Sequence, residues 1–475
     1  MSVNETVSDS VPKMDTSNVP NILAVGEIDT FDQMDISSDV LDPIINNQTS
    51  CRFVLQNKGY LHDGSRITIS LKGNASTTAG LNLPLQLGVH SLISRATLRV
   101  GGNTVSEVDD YNFFKAFESM FISSEINNDR EAVMSGRAMN HDLNYNDVLG
   151  AQSNTLASSY DLSIGGQEYD GGGLTSAYWL NVNNSPVFSV TLGELFPFLK
   201  GMTLPLFAMK EEVIIDLLWE PGSAGTTGRA CVNPNASSGT QLDMDLTQTK
   251  LVADYMFYDG AVMSQRLDQI NSQGATFKYN DYRLTKTSLS VADAQNSVRN
   301  LGGAGRVVPR IFTSINDDNR TDRFILNKYS AVAPQRDYTN AAKFNGTLTT
   351  NIRMNDFFVF PIDLSNSAVL FDKTVRAFGS FPFVTREEYS GEGNVLSSRT
   401  FNGVAQNGST GLLGNFFYQC YKLPAGRVNA RGLELTTQCN SLPTLATGKT
   451  YTQRTYIEVK KVAQLKNGFM TIGFQ

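Results

Sequence analysis

Charge is scarce in this sequence: Asp, Glu, Lys and Arg make up only 18% of its 475 residues. No run of Lys and Arg occurs, and gripping a phosphate backbone demands concentrated positive charge. Direct nucleic-acid binding is therefore not expected. Histidine is scarcer still, with only His62, His90 and His141. They fall in a turn, before a strand and after an expected helix, so nothing gathers them as a metal site requires. The same scarcity leaves Ser-His-Asp and Cys-His catalysis without a visible base, and there is no Gly-x-Ser-x-Gly elbow. The four cysteines, Cys51, Cys231, Cys420 and Cys439, contain no Cys-x-x-Cys pair. Cys51 and Cys420 sit inside strand-like runs, where a free thiol behaves as a small apolar residue. No apolar run of about 18 residues exists, so no membrane span is expected. The opening MSVNETVSDSVPKMDTSNVP lacks the order of a secretory leader, which points to synthesis in a reducing, cytosol-like compartment.

Several fragments imitate chemistry without completing it. Gly448-Lys449-Thr450 has the ending of a P-loop, but Pro443 stands where the motif needs its first glycine. Gly302, Gly303 and Gly305 beside Arg299 and Arg306 read as a flexible turn more readily than as an anion nest. The pairs Asp109-Asp110 and Asp317-Asp318 are adjacent residues, which point apart on a strand; a helix cap and a turn are the better readings. Asn74, Asn235, Asn345 and Asn407 open Asn-x-Ser/Thr triplets and, without a leader, read as turn residues. No catalytic, cofactor-binding or metal-ligating residue is assigned, and no cofactor is expected.

What the chain does hold is strand grammar. Asn, Ser, Thr and Gly are plentiful, which suits short strands joined by polar turns. Residues 1–48 stand apart, with nine acidic residues from Glu5 to Asp42 against Lys13 alone. The whole chain carries a net charge of −7, so the remainder is close to neutral. This stretch reads as an acidic arm whose apolar residues from Ile22 to Phe31 dock. From residue 49, Cys51, Phe53 and Leu55 alternate with polar neighbours, as do Ile67, Ile69 and Leu71. Phe188, Val190 and Leu192 share a strand face, and 213–219 is apolar on nearly both faces, as in mid-sandwich. Residues 150–176 and 386–412 read as long polar loops and 223–249 as a linker. A strand at 251–257, a helix at 263–271 and a further series of strand-like runs fill 250–475. The chain then closes on a Lys466-Asn467-Gly468 hairpin.

The richest stretch is His90 to Phe121. Ala96, Leu98 and Val100 alternate with Arg95, Thr97 and Arg99, the period of a half-buried strand. Gly101-Gly102-Asn103 supplies a tight turn. Phe113, Phe114, Phe117, Met120 and Phe121 then recur at helical spacing, predicting a helix over 110–122 whose aromatic stripe packs on the first sheet set. A second short helix is expected near 129–139.

The pattern Leu92-Ile93, Ala96, Leu98, Val100-Gly101-Gly102, Val105, followed by acids and an aromatic helix, resembles the first roll of double jelly-roll major capsid proteins. Those proteins build the shells of large eukaryotic DNA viruses, virophages and polinton-like viruses. The resemblance implies an all-β fold of two consecutive eight-stranded jelly rolls with short inserted helices. Its expected divisions are an arm at 1–48, a first roll at 49–222, a linker at 223–249 and a second roll at 250–475. It further implies a non-enzymatic major capsid protein: a homotrimer forming a pseudo-hexagonal capsomer that tiles an icosahedral shell. Its partners would be itself, a separate single-jelly-roll penton protein and minor or cement proteins. Its place would be the virion, after synthesis in the host cytoplasm. The alternative is a viral spike or lectin-like protein binding a receptor or carbohydrate. That reading would favour aromatic loops, whereas the two long loops hold only Tyr160, Tyr169, Tyr389 and Phe401.

Overall fold

A computed structural model describes residues 34–73, 81–84, 87–121, 132–135, 159–161, 187–220, 222–223, 228–229, 233–234, 242–289, 297–302, 306–317, 329, 331, 348–354, 357–360, 367–379, 400–401, 404–405, 418–423, 433–439 and 451–474. Its core strands fall into two series. The first comprises β1 (Asp35–Leu41), β2 (Ser50–Leu55), β3 (Arg66–Gly73), β4 (Ile93–Val100), β5 (Asn103–Asp109), β6 (Val187–Thr191), β7 (Val213–Trp219) and β8 (Lys250–Phe257), with helix α1 (Tyr111–Glu118) after β5. Helix α2 (Gly260–Gln273) leads to the second series. This comprises β9 (Ala275–Leu289), β10 (Ser297–Gly302), β11 (Arg310–Asp317), β12 (Leu348–Met354), β13 (Phe357–Phe358), β14 (Gln419–Lys422), β15 (Leu433–Cys439) and β16 (Tyr451–Lys466). Helix α3 (Ser367–Phe378) lies between β13 and β14, and a final strand, β17 (Phe469–Phe474), folds back on β16.

Pairing makes the two series equivalent. The first builds sheets in the order β1-β8-β3-β6 and β2-β7-β4-β5. The second builds β9-β16-β11-β14 and β10-β15-β12-β13. Each strand of the second roll thus takes the place of the strand eight before it. This is a double jelly roll, with all these pairings antiparallel. The alternation seen in the sequence is the burial pattern: Cys51, Phe53 and Leu55 face inward against Ile215 and Leu217 of the same sheet and Ile67, Ile69 and Leu251 of the other. Burying such side chains, at about 1.5–3 kcal/mol each, is what holds the layers together.

The hairpin forms as expected. Val100 pairs with Asn103 across Gly101-Gly102. Gly101 has φ +56°, which favours glycine, and a Cβ there would also displace the Glu211 carboxylate, whose oxygen would lie 2.5 Å away. The helix at 110–122 is α1 with a short 3-10 turn through Phe121, and the second helix is a single turn at Ala132–Ser135.

Two strands lie elsewhere than expected. Residues 35–41, counted with the acidic arm, form the edge strand β1, paired from Asp35↔Phe257 to Leu41↔Leu251. Two of the arm's acids neutralise this roll's lysines, Asp39 with Lys58 and Asp42 with Lys250. Residues 250–257, expected to open the second roll, instead close the first by pairing with β1 and β3. Of the stretch expected as a linker, 223–249, Leu242–Met244 pairs with β3 of the first roll just before β8. The connection leading from one roll to the next is α2, capped by the Asp259 carboxylate, which accepts from the Ala261 amide.

Candidate functional site

The most elaborate chemistry among the described residues is the junction between the rolls. Edge strand β9 lies in a clasp. On one side, the Tyr279 hydroxyl donates to the Val105 carbonyl at 2.7 Å and the Ser106 hydroxyl donates to Asp281 at 3.1 Å, both on β5. Tyr282 points to the opposite side, as alternation requires, and meets Phe114 of α1 with ring centroids 4.6 Å apart. Phe117 stacks on Phe312 of β11 at 3.8 Å and also meets Tyr418 and Phe378. The stripe is therefore buried as expected, with the helix lying against β4 and β5 of the first roll and its Phe114 and Phe117 rings packed on the second. An amphipathic helix emitted by one sheet supplies the cover for the outer face of another.

Polar groups fix the register of this joint. Asp110, expected to cap α1, stands at its N-cap position with φ +46°, and its side chain makes no capping bond. Its carboxylate instead reaches across to Lys286 at 2.6 Å and Arg454 at 2.9 Å. The Arg454 guanidinium also lies 3.6 Å over the Phe113 ring. The Tyr456 hydroxyl donates to the Asp110 carbonyl at 3.0 Å, and the Asn103 amide to the Met470 carbonyl at 3.1 Å. Asp281 pairs with Lys461, and burial pushes its carboxyl upward against that attraction. Burial also raises Asp109, and neighbouring Glu107 adds to the effect.

A cavity of about 350 Å³ opens beside the joint, with Glu118, Glu194 and Glu458 among its lining residues. Each carboxylate already has a cation. Glu118 takes Lys115 at 3.0 Å and Lys200 at 2.8 Å, Glu194 has Lys115 at 3.6 Å, and Glu458 is forked by Arg310. Burial alone would raise the Glu118 carboxyl, but the two lysines outweigh it and hold it at about 2. These pairs each stay within one roll, the lysine pairs in the first and Arg310 with Glu458 in the second, so the cavity wall is charge-compensated, while the pairs of Asp110 with Lys286 and Arg454 cross between the rolls. No group of His, Cys, Asp and Glu fit to hold a metal occurs among the described residues, and no helix there is long and apolar enough to cross a membrane.

The other sequence candidates scatter. His62 accepts from the Gly64 amide in its turn. His90 is buried in a 3-10 helix, with Nδ1 2.9 Å from the Tyr111 hydroxyl and Nε2 4.0 Å from Glu194. Cys51 and Cys420 are buried free thiols; burial pushes Cys51 up to about 12, where it is unreactive. Cys439 falls in β15. Arg306 lies over the Phe474 ring and Asp317 ends β11. Most of residues 150–176 and 386–412, and His141, Cys231, Gly303, Gly305, Asp318, Gly448-Lys449-Thr450 and the four Asn-x-Ser/Thr asparagines, lie outside the described residues. Sequence reasoning missed Arg454, Tyr456 and Phe312 as partners of α1. One signal was there to be read: Asp281, a lone acid inside a strand-forming run.

No protein-family model matches the sequence, and no curated protein does either. Solved structures match in shape. The mavirus major capsid protein superposes with a TM-score of 0.55 at 10% identity, over 100% of this chain and 96% of that one. A chain of the Sputnik virophage gives 0.54 at 11% identity, over 100% and 93%. A chain of the PBCV-1 virus capsid gives 0.52 at 12% identity, over 93% and 97%. With so little identity the likeness is one of fold, and the fold is the double jelly roll found in the major capsid proteins of these viruses.

Proposed function

We propose that this chain is a major capsid protein, a structural protein of the virion to which we assign no reaction. The observation that carries this reading is the repeat of one strand order in two rolls locked side by side by a buried joint. A flat facet tiles well with hexagonal units, and a chain holding two equivalent bodies supplies six from three copies. The unit is a homotrimeric, pseudo-hexagonal capsomer. Contacts between copies are heterologous within the trimer and weaker between trimers, so that a closed shell gains stability from many modest interfaces. The working divisions are an arm before residue 34, a first roll to about 257 and a second from about 275. A single-jelly-roll protein at five-fold vertices and minor capsid proteins complete the shell around chains made in the host cytoplasm.

Purified protein should run at three times the chain mass in solution and show six-lobed particles, or shells, by electron microscopy. A chain that stays monomeric at high concentration, or elongated single spikes, would overturn the reading.

A further inference from the structure

The two rolls repeat the same parts, yet only one of two possible clasps is closed within the chain. In the closed one, β5 and α1 of the first roll enclose β9, the edge strand that opens the second. The strand equivalent to β9 is β1, which is also an edge strand. Its Ser37, Asp39 and Leu41 sit half-buried beside Tyr255, Ala253 and Leu251, while Ile36 and Val40 point outward at 56% and 65% exposure. The strand equivalent to β5 is β13. Where β5 buries Val105 and Val108, β13 leaves Phe357 and Phe358 exposed at 77% and 63%. Ile44 and Ile45 continue the patch beyond β1, so these two places hold six of the ten large apolar side chains exposed among the described residues. Patches of this kind on an otherwise polar surface mark contact sites.

We infer that the two patches are halves of one interface: β13 of one copy clasps β1 of the next, repeating between chains the joint built inside the chain. The partner is a second copy because the chain itself contains the template: the same edge strand, met by the same partner strand, with apolar side chains uncovered on both sides. The joint is head to tail, since the clasping and clasped surfaces differ. Each copy therefore offers one of each, and a ring closes when the rotation per copy is a third of a turn. This inference rests on the trimer reading and assigns its contact.

The test uses two full-length variants, Phe357→Asp/Phe358→Asp and Ile36→Asp/Val40→Asp, compared with the parent by mass in solution and by thermal melting. Both should still fold and melt in a cooperative transition, because the substituted side chains are exposed in the single chain, with a melting temperature below the parent's only by what the lost association contributed. Each alone should lose the trimer by at least about tenfold at a fixed concentration, as removal of central apolar anchors does. Mixed in equal amounts, they should form a one-to-one dimer and nothing larger: one keeps an intact clasped strand, the other an intact clasping strand. Should either variant misfold, a Val40→Cys/Phe358→Cys chain treated with a flexible bis-maleimide decides. It should give a covalently linked trimer, with the parent and its own four cysteines as control. Trimers that persist in both acidic variants, or links confined to single chains, overturn the inference while leaving the trimer standing. A parent chain that is itself monomeric overturns both.

Discussion

The two rolls share one topology and fill it differently. Between the sheets of the first, Phe53, Leu55, Ile67, Ile69, Leu98, Ile215 and Leu217 meet with little but hydrocarbon. Between the sheets of the second, hydroxyls and amides are threaded through the apolar side chains. Thr313 and Thr455 hydroxyls lie 2.9 Å apart, and the Gln453 amide donates to Thr313 at 3.3 Å. The Tyr421 hydroxyl donates to Gln419 at 3.0 Å and lies 3.4 Å from the Thr350 hydroxyl. Hydrocarbon contact has no direction and tolerates sliding; a buried hydrogen bond has a direction and penalises every alternative register. Strand order therefore does not depend on which of these chemistries fills the sandwich. What each roll should lose on mutation does.

The largest effect should come from neither interior but from the helix that serves both. Phe117→Ala removes a ring rooted in the first roll and packed in the second, and should cost about 3–5 kcal/mol. Denaturant unfolding should also lose its single transition as the rolls uncouple. A cost under about 1 kcal/mol would mean that the joint is held by its ion pairs instead. Within the first roll, Leu217→Ala should cost about 2–5 kcal/mol, graded by how far the hydrocarbon can collapse into the gap. In the second roll, Thr313→Val keeps the volume but strips partners from Gln453 and Thr455, for about 1–3 kcal/mol. Adding Thr455→Val should recover part of that loss, because both polar partners are then gone. If the double variant is worse than the single by the full cost of a second site, the network reading of this interior is wrong.

Much of this was legible in the sequence, and the failures have a physical pattern. Period-two alternation at 51–55 and 66–71, the Gly101-Gly102 turn and the aromatic stripe of α1 are local signals, and all three formed. The destination of the stripe was not local: nothing in Phe113 to Phe121 says which sheet will receive it. Strand β8 misled for the same reason, since Leu251, Ala253 and Tyr255 fit a sheet of either roll and only pairing with β1 and β3 decides. Strand β1 was hidden by its own charge. Asp35 and Asp39 made it read as tail, although Asp39 is matched by Lys58 from the strand's own roll. The seam was hidden more deeply, because Asp110 and Arg454 are 344 residues apart and neither is unusual alone.

The smallest predicted effect tests whether the end of α1 beside the joint, unlike either interior, carries acid sensitivity. Glu118 is held at about 2 against an ordinary value of 4.5. A carboxyl with a lowered value in the folded chain favours folding while it is ionised. Its contribution is therefore complete above pH 4.5 and fades as pH falls from there toward 2. Asp281 and Asp109 are shifted the other way by burial, so acid favours the folded chain at those two sites and partly masks the loss. The clean measurement is a difference between melting curves of the parent and Glu118→Gln across that range. At neutral pH the variant should melt lower, since Lys115 and Lys200 lose the charge between them, and the gap should close steadily toward pH 2. A gap that stays constant with pH would show that Glu118 acts through packing alone. The pairing of Lys115 with Glu194 would then be what holds that end of α1.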